Sequence, residues 1–67
     1  MGKSLNAAKL RTAMFNKRMS QTELAMLTGI SRNTINGIMN GRSTSEKTAE
    51  KICQILDVYL EDVSEGG

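Results

Sequence analysis

Seven cationic side chains, Lys3, Lys9, Arg11, Lys17, Arg18, Arg32 and Arg42, stand in the first 42 residues of this 67-residue chain against Glu23 alone. From residue 43 onward the balance reverses, with Lys47 and Lys51 facing Glu46, Glu50, Asp57, Glu61, Asp62 and Glu65. The formal charge of +2 therefore conceals a basic half and an acidic half. Such a chain can turn its basic side toward a polyanion while the acidic side stays in solvent or meets a basic partner. Covalent or acid–base chemistry has far less to work with. No histidine is present, Cys53 has no base to activate it, and Asp57, Glu61 and Asp62 fall in a solvated acidic tail rather than a pocket. These residues point away from an enzyme and toward recognition.

The elements that must present the basic side are legible in residues 21–40, QTELAMLTGISRNTINGIMN, which read as two short helices held at a fixed angle by a tight turn. Small proteins use that arrangement to put a helix into the DNA major groove. Ser20 and Glu23 form a capping box at the start of the first helix, and Ser31 is the N-cap of the second. Leu24 and Ala25 face inward, Ala25 small because the helices cross close to it. Gly29 ends the first helix in a left-handed conformation, Ile30 follows as a buried anchor, and Ile35 and Ile38 face inward from the second. Each signal alone is weak; Gln21, Ala25, Gly29, Ile30, Ile35 and Ile38 together at these spacings are strong.

Around this corner the chain reads as a single all-helical domain, 1–67, with no proline and no alternating β-branched pattern. The expected helices run over about 5–17, 21–28, 32–40, 45–56 and 60–63. The first is capped by Ser4 or Asn6 and has Leu10, Ala13 and Met14 on one face; the fourth is capped by Thr44 or Ser45 and has Ala49, Ile52, Ile55 and Leu56 at helical spacing. Arg18 falls where glycine or asparagine would be more comfortable, and residues 64–67 should be frayed. One unpartnered cysteine and no histidine argue against a disulfide framework or a zinc site. No apolar run approaches the roughly 18 residues that span a membrane. No signal-peptide pattern opens the chain, and Asn6 replaces the Ser or Thr of the myristoylation pattern. The expectation is a soluble cytoplasmic protein.

This order of helices, with the corner on the second and third, resembles the Cro and repressor-type helix-turn-helix family of lambdoid phages, also called the xenobiotic response element family. The likeness covers about residues 5–63 and is carried most specifically by SQTELAMLTGIS, Ile35, Ile38, Asn40-Gly41 and KICQILDV. It implies a compact five-helix, lambda-repressor-like domain. It further implies a sequence-specific transcriptional regulator, free of cofactor, metal and small-molecule substrate, that binds double-stranded operator DNA as a homodimer. Residues carried over by matching positions fall into two sets. Ser20, Gln21, Asn40 and Arg42 match phosphate-contacting positions, which fix register without reading sequence. Ser31, Arg32, Asn33, Asn36 and Gly37 match base-reading positions. Arg32 can engage guanine O6 and N7, and Asn33 or Asn36 can pair with adenine; the plainer reading of Arg32 is a solvated surface arginine.

Two departures from the family pattern are visible. Position 37 usually carries a long polar side chain; a helical glycine costs roughly 0.5–1 kcal/mol, and its rationale is either close approach to the groove floor or drift without function. Where many members pair an arginine late in helix 1 with a glutamate late in helix 3, this chain has Met14 and Met39, so thioether packing replaces an ion pair. Phe15, Met26 and Leu27 fall where exposed polar residues are usual, as core, scattered exposure or a partner-binding patch. Cys53 reads as a small core residue, and Tyr59 as a possible dimer contact. The alternative function is a helical protein-interaction module or antitoxin-type partner-binding protein that has kept the corner without the DNA.

Overall fold

Asn6, Ser20, Ser31 and Ser45 each accept a hydrogen bond from the backbone N–H three residues ahead, at 3.1–3.2 Å. Each thereby opens a helix, because an N-cap oxygen satisfies a donor that no helical carbonyl can reach. The structure is a computed structural model describing residues 2–65. Its order is β1 (Ser4–Leu5), α1 (Ala7–Asn16), α2 (Gln21–Thr28), α3 (Arg32–Met39), α4 (Glu46–Leu56), α5 (Leu60–Val63) and β2 (Ser64–Glu65). At Ser20 the box is complete: its hydroxyl accepts from Glu23 N–H, and the Glu23 carboxylate accepts from Ser20 N–H at 3.2 Å.

The two strands correct the expectation of helix from residue 5 and of a frayed end from residue 64. β1 and β2 pair antiparallel, Ser4 opposite Glu65 and Leu5 opposite Ser64, and Asn6 N–H donates to the Val63 carbonyl at 2.6 Å. Leu5 is fully buried and Val63 nearly so. Extended backbone at residue 5 points that leucine into the core, and Asn6 then caps α1. Lys3 and Thr44 form a further antiparallel bridge. Of the residues expected to fray, Gly66 and Gly67 lie outside those described.

Three helix ends share one geometry. After α1, α3 and α4 the chain passes through a left-handed residue, Arg18 (φ 53°), Gly41 (φ 96°) or Asp57 (φ 59°). The next N–H, of Met19, Arg42 or Val58, returns to a carbonyl five residues back, that of Met14, Gly37 or Cys53. This is the Schellman closure, which commonly lays the residue after the left-handed one against the last helical turn. Met19 and Val58 do so as partly buried apolar side chains on the core. Arg18 and Asp57 are not glycine, and a side chain in the left-handed region costs roughly 1–2 kcal/mol. The Arg18 side chain makes no hydrogen bond or ion pair among the described residues, its backbone N–H alone donating to the Phe15 carbonyl at 3.0 Å. Arg18→Gly should therefore stabilise the domain by about 1 kcal/mol, which at this size raises Tm by about 4–8 °C in a thermal melt.

The core is one cluster. α1 contributes Leu10, Ala13 and Met14; α2 contributes Leu24; α3 contributes Ile35, Ile38 and Met39; α4 contributes Ala49, Ile52, Cys53 and Leu56. Burial pushes the Cys53 thiol pKa up, and the charge of Glu50 adds to the shift, so this sulfur is an inert packing group. Phe15, Met26 and Leu27 are exposed, at 81%, 75% and 58%, which removes the core reading for all three.

Candidate nucleic-acid interface

The corner between α2 and α3 is fixed by backbone and by one buried hydroxyl. Gly29 takes φ 73° and donates its N–H to the Ala25 carbonyl at 2.9 Å. Thr28, 6% exposed, donates its hydroxyl to the Leu24 carbonyl at 2.7 Å and accepts from Ile30 N–H at 3.3 Å. That side chain joins the last turn of α2 to the residue leading into α3. Ala25 and Ile30 pack partly buried against the core. Thr28 was not among the residues singled out by sequence; threonine just before a helix-ending glycine is the signal that marks it.

α3 buries Ile35, Ile38 and Met39, so the 3.6-residue repeat sends Arg32, Asn33 and Asn36 to the outside, with Gly37 half-buried on that side. Among the described residues the side chains of Arg32, Asn33 and Asn36 engage no protein partner. Ser31 differs from them. Its hydroxyl caps α3 by accepting from Thr34 N–H and lies 2.8 Å from the Thr34 hydroxyl, so it is committed to the helix start.

At the start of α2 the N–H groups of Gln21 and Thr22 have no helical acceptor and carry the positive end of the helix dipole. Gln21 is half-buried and Ser20 exposed. Arg18 lines a surface hollow together with Ser20. The sequence shows Arg18 as a cation of the basic half and as a residue in a strained position, but not that it shares a hollow with Ser20 and Glu23 at the start of α2.

Beyond α3, Asn40 is the exposed C-cap, its N–H bonded to the Asn36 and Gly37 carbonyls at 3.1 Å. Arg42 does not extend freely. An ideal Cβ added to Gly37 would lie 3.2 Å from Arg42 Cδ, and the two residues share a shallow hollow with Asn33, Thr34, Ile38 and Ser43. The nearest neighbour of the bare position 37 is thus a side chain of the same protein.

A second contact that the sequence does not show, made by the basic-half residue Arg11, supports α3 from below. Arg11 donates from its guanidinium to the Met39 carbonyl at 3.2 Å, placing a cation at the negative end of the α3 dipole. Other basic residues are occupied away from α3: Lys9 donates to the Asp62 carbonyl at 3.0 Å, and Lys3 and Lys17 approach Glu46 and Asp57 at 3.9 and 3.8 Å. Those exposed pairs add little stability. Among the described residues, Arg18, Arg32 and Arg42 are the arginines without an internal acceptor. No cluster of three potential metal-ligating side chains occurs among the described residues, nor a helix long and apolar enough to cross a membrane.

Comparison with curated proteins gives no match. Among solved structures, the crystal structure of the transcriptional regulator VanUg is similar, with a TM-score of 0.78 and 23% identity. The similarity covers 97% of this chain and 87% of that one. At that identity the likeness bears on the fold alone. The sequence itself matches the helix-turn-helix family over residues 9–63, most of the chain and all of the corner. The chain therefore belongs to the helix-turn-helix family of Cro/C1 type, whose members are DNA-binding regulators rather than enzymes.

Proposed function

We propose that this protein is a Cro- or repressor-type regulator in the cytoplasm that binds a two-fold operator as a homodimer, with α3 in the major groove. The observation that carries the reading is the outer side of α3, where Arg32, Asn33 and Asn36 project uncommitted donors and acceptors from a helix buried on its other side. Rigid placement matters, because base discrimination requires hydrogen-bonding groups already aimed at base edges. Arg32 reads a guanine and Asn33 or Asn36 an adenine. Ser31 serves mainly as the cap that sets where α3 begins.

Phosphate contacts flank this reading surface. Gln21 and the start of α2 hold one phosphate, helped by Ser20 and by Arg18 beside it. Asn40 meets the backbone at the far end of α3. The resemblance groups Arg42 with these residues, although its stem lies over Gly37 rather than reaching outward.

Selection of binding sites from a pool of random duplexes, followed by titration of the selected site over a range of salt concentrations, tests the reading. The expected result is a two-fold symmetric preference, with log affinity falling linearly with log salt by about 0.9 per neutralised phosphate. Half-site spacing near one helical turn would report the dimer geometry. A salt-independent or undetectable interaction with duplex would leave the antitoxin-type, partner-binding reading in its place.

A further inference from the structure

From the packing of Arg42 across Gly37 we infer that Arg42 is a base-reading residue, delivered onto the reading side of α3 in place of the side chain that position 37 lacks. The inference rests on the proposed DNA-regulator reading and changes the role of one residue within it. Its starting point is the closure after α3. Gly41 takes φ 96° and donates to the Ile38 carbonyl, and Arg42 N–H donates to the Gly37 carbonyl at 2.9 Å. At the two equivalent closures, the residue in the Arg42 position is apolar, Met19 or Val58, and packs on the core. Here the aliphatic stem of an arginine takes that place, a common use of the long methylene chain.

Position 37 lies one turn beyond Asn33, on the same side of α3. Arg42 Cδ lies 3.2 Å from where a Cβ at that position would be, with Cβ and Cγ at 3.9 Å, so the stem covers the space a side chain on residue 37 would enter. Asn33, Gly37 and Arg42 line one hollow, so the Arg42 side chain shares the surface on which Asn33 stands. No internal acceptor holds it among the described residues. A guanidinium fork in the major groove recognises guanine through O6 and N7. Gly37 is then a positioning residue whose missing Cβ admits the Arg42 stem.

The test compares sites selected by the wild type, Arg42→Ala, Arg42→Lys, Gly37→Ala and the Gly37→Ala/Arg42→Ala double variant. Arg42 is exposed, so its variants should fold, with thermal melts as the control. Arg42→Ala is expected to relax preference for guanine at one base pair by about tenfold or more while the other preferences persist. Arg42→Lys should keep part of the preference at the same base pair, because an ammonium can also donate to O6 and N7 but lacks the planar fork. Gly37→Ala should also relax it, and should have no further effect on specificity once Arg42 is alanine. The inference is overturned if Arg42→Ala weakens every duplex by the same factor and lowers the salt slope by about one, the mark of a phosphate contact. A wild type that selects no sequence would overturn the regulator reading as well, and so separates the two failures.

Discussion

Replacing Met14 with arginine should destabilise the domain by about 3–5 kcal/mol, the usual cost of a buried charge left without a partner. Met14 is 6% exposed and Met39 2%, and both belong to the single core cluster beneath the corner. Small domains hold roughly 0.05–0.15 kcal/mol of stability per residue, so a loss of this size removes a large fraction of the total and, at the low end of that range, unfolds the chain. Met39→Glu alone should be milder, because the Arg11 guanidinium already sits at the Met39 carbonyl and can turn toward a new carboxylate. The double variant Met14→Arg/Met39→Glu should recover a substantial part of the loss. Buried ion pairs often only break even against well-packed apolar side chains, so full recovery is not required. Denaturant titration by circular dichroism reads all three, and an unchanged melting temperature for Met14→Arg would contradict replacement of a buried pair by methionine packing. An unfolded Met14→Arg would also lose DNA binding with no interface residue altered, so its affinity means little without the melt.

What the sequence made legible was local. A capping box is four residues long, and a glycine between two helical patterns is a single-residue signal, so Ser20, Glu23, Gly29 and Ser31 could be placed without knowing the fold. The same holds for the inward faces of α3 and α4, where helical spacing of Ile35, Ile38, Ile52 and Leu56 identifies the core. The features that escaped are contacts between distant segments. β1 and β2 are two residues each and carry no periodicity; they exist because the chain ends meet over Leu5 and Val63. Arg11 reaches the Met39 carbonyl across 28 positions, and side chain to backbone pairing of that kind leaves no pattern in either segment. Asp57 adopts φ 59° without being glycine or asparagine, because closure of α4 demands it. For the candidate site the division is similar. The exposed side of α3 follows from its spacing, whereas the seat of Arg42 on Gly37 required the loop geometry after Asn40.

Arg32→Ala should cost about 1–3 kcal/mol of discrimination at one G·C pair of the operator while leaving the melting temperature nearly unchanged. The side chain is exposed, has no internal acceptor among the described residues and follows the Ser31 cap without taking part in it. Its removal therefore takes nothing from the fold, and any loss in binding belongs to the interface. Ser31→Ala provides the contrast, expected to lower stability by about 1 kcal/mol through the lost cap and to weaken specific and random duplexes together. Asn36→Ala should behave like Arg32→Ala but at an A·T pair, since an amide pairs with adenine N6 and N7. Affinities for the selected operator, for single-base variants of it and for random duplex, at one fixed salt concentration, distinguish these outcomes. Equal weakening of operator and random duplex by Arg32→Ala would move Arg32 to the phosphate backbone. Specificity would then have to come from Asn33, Asn36 and the arginine lying over Gly37.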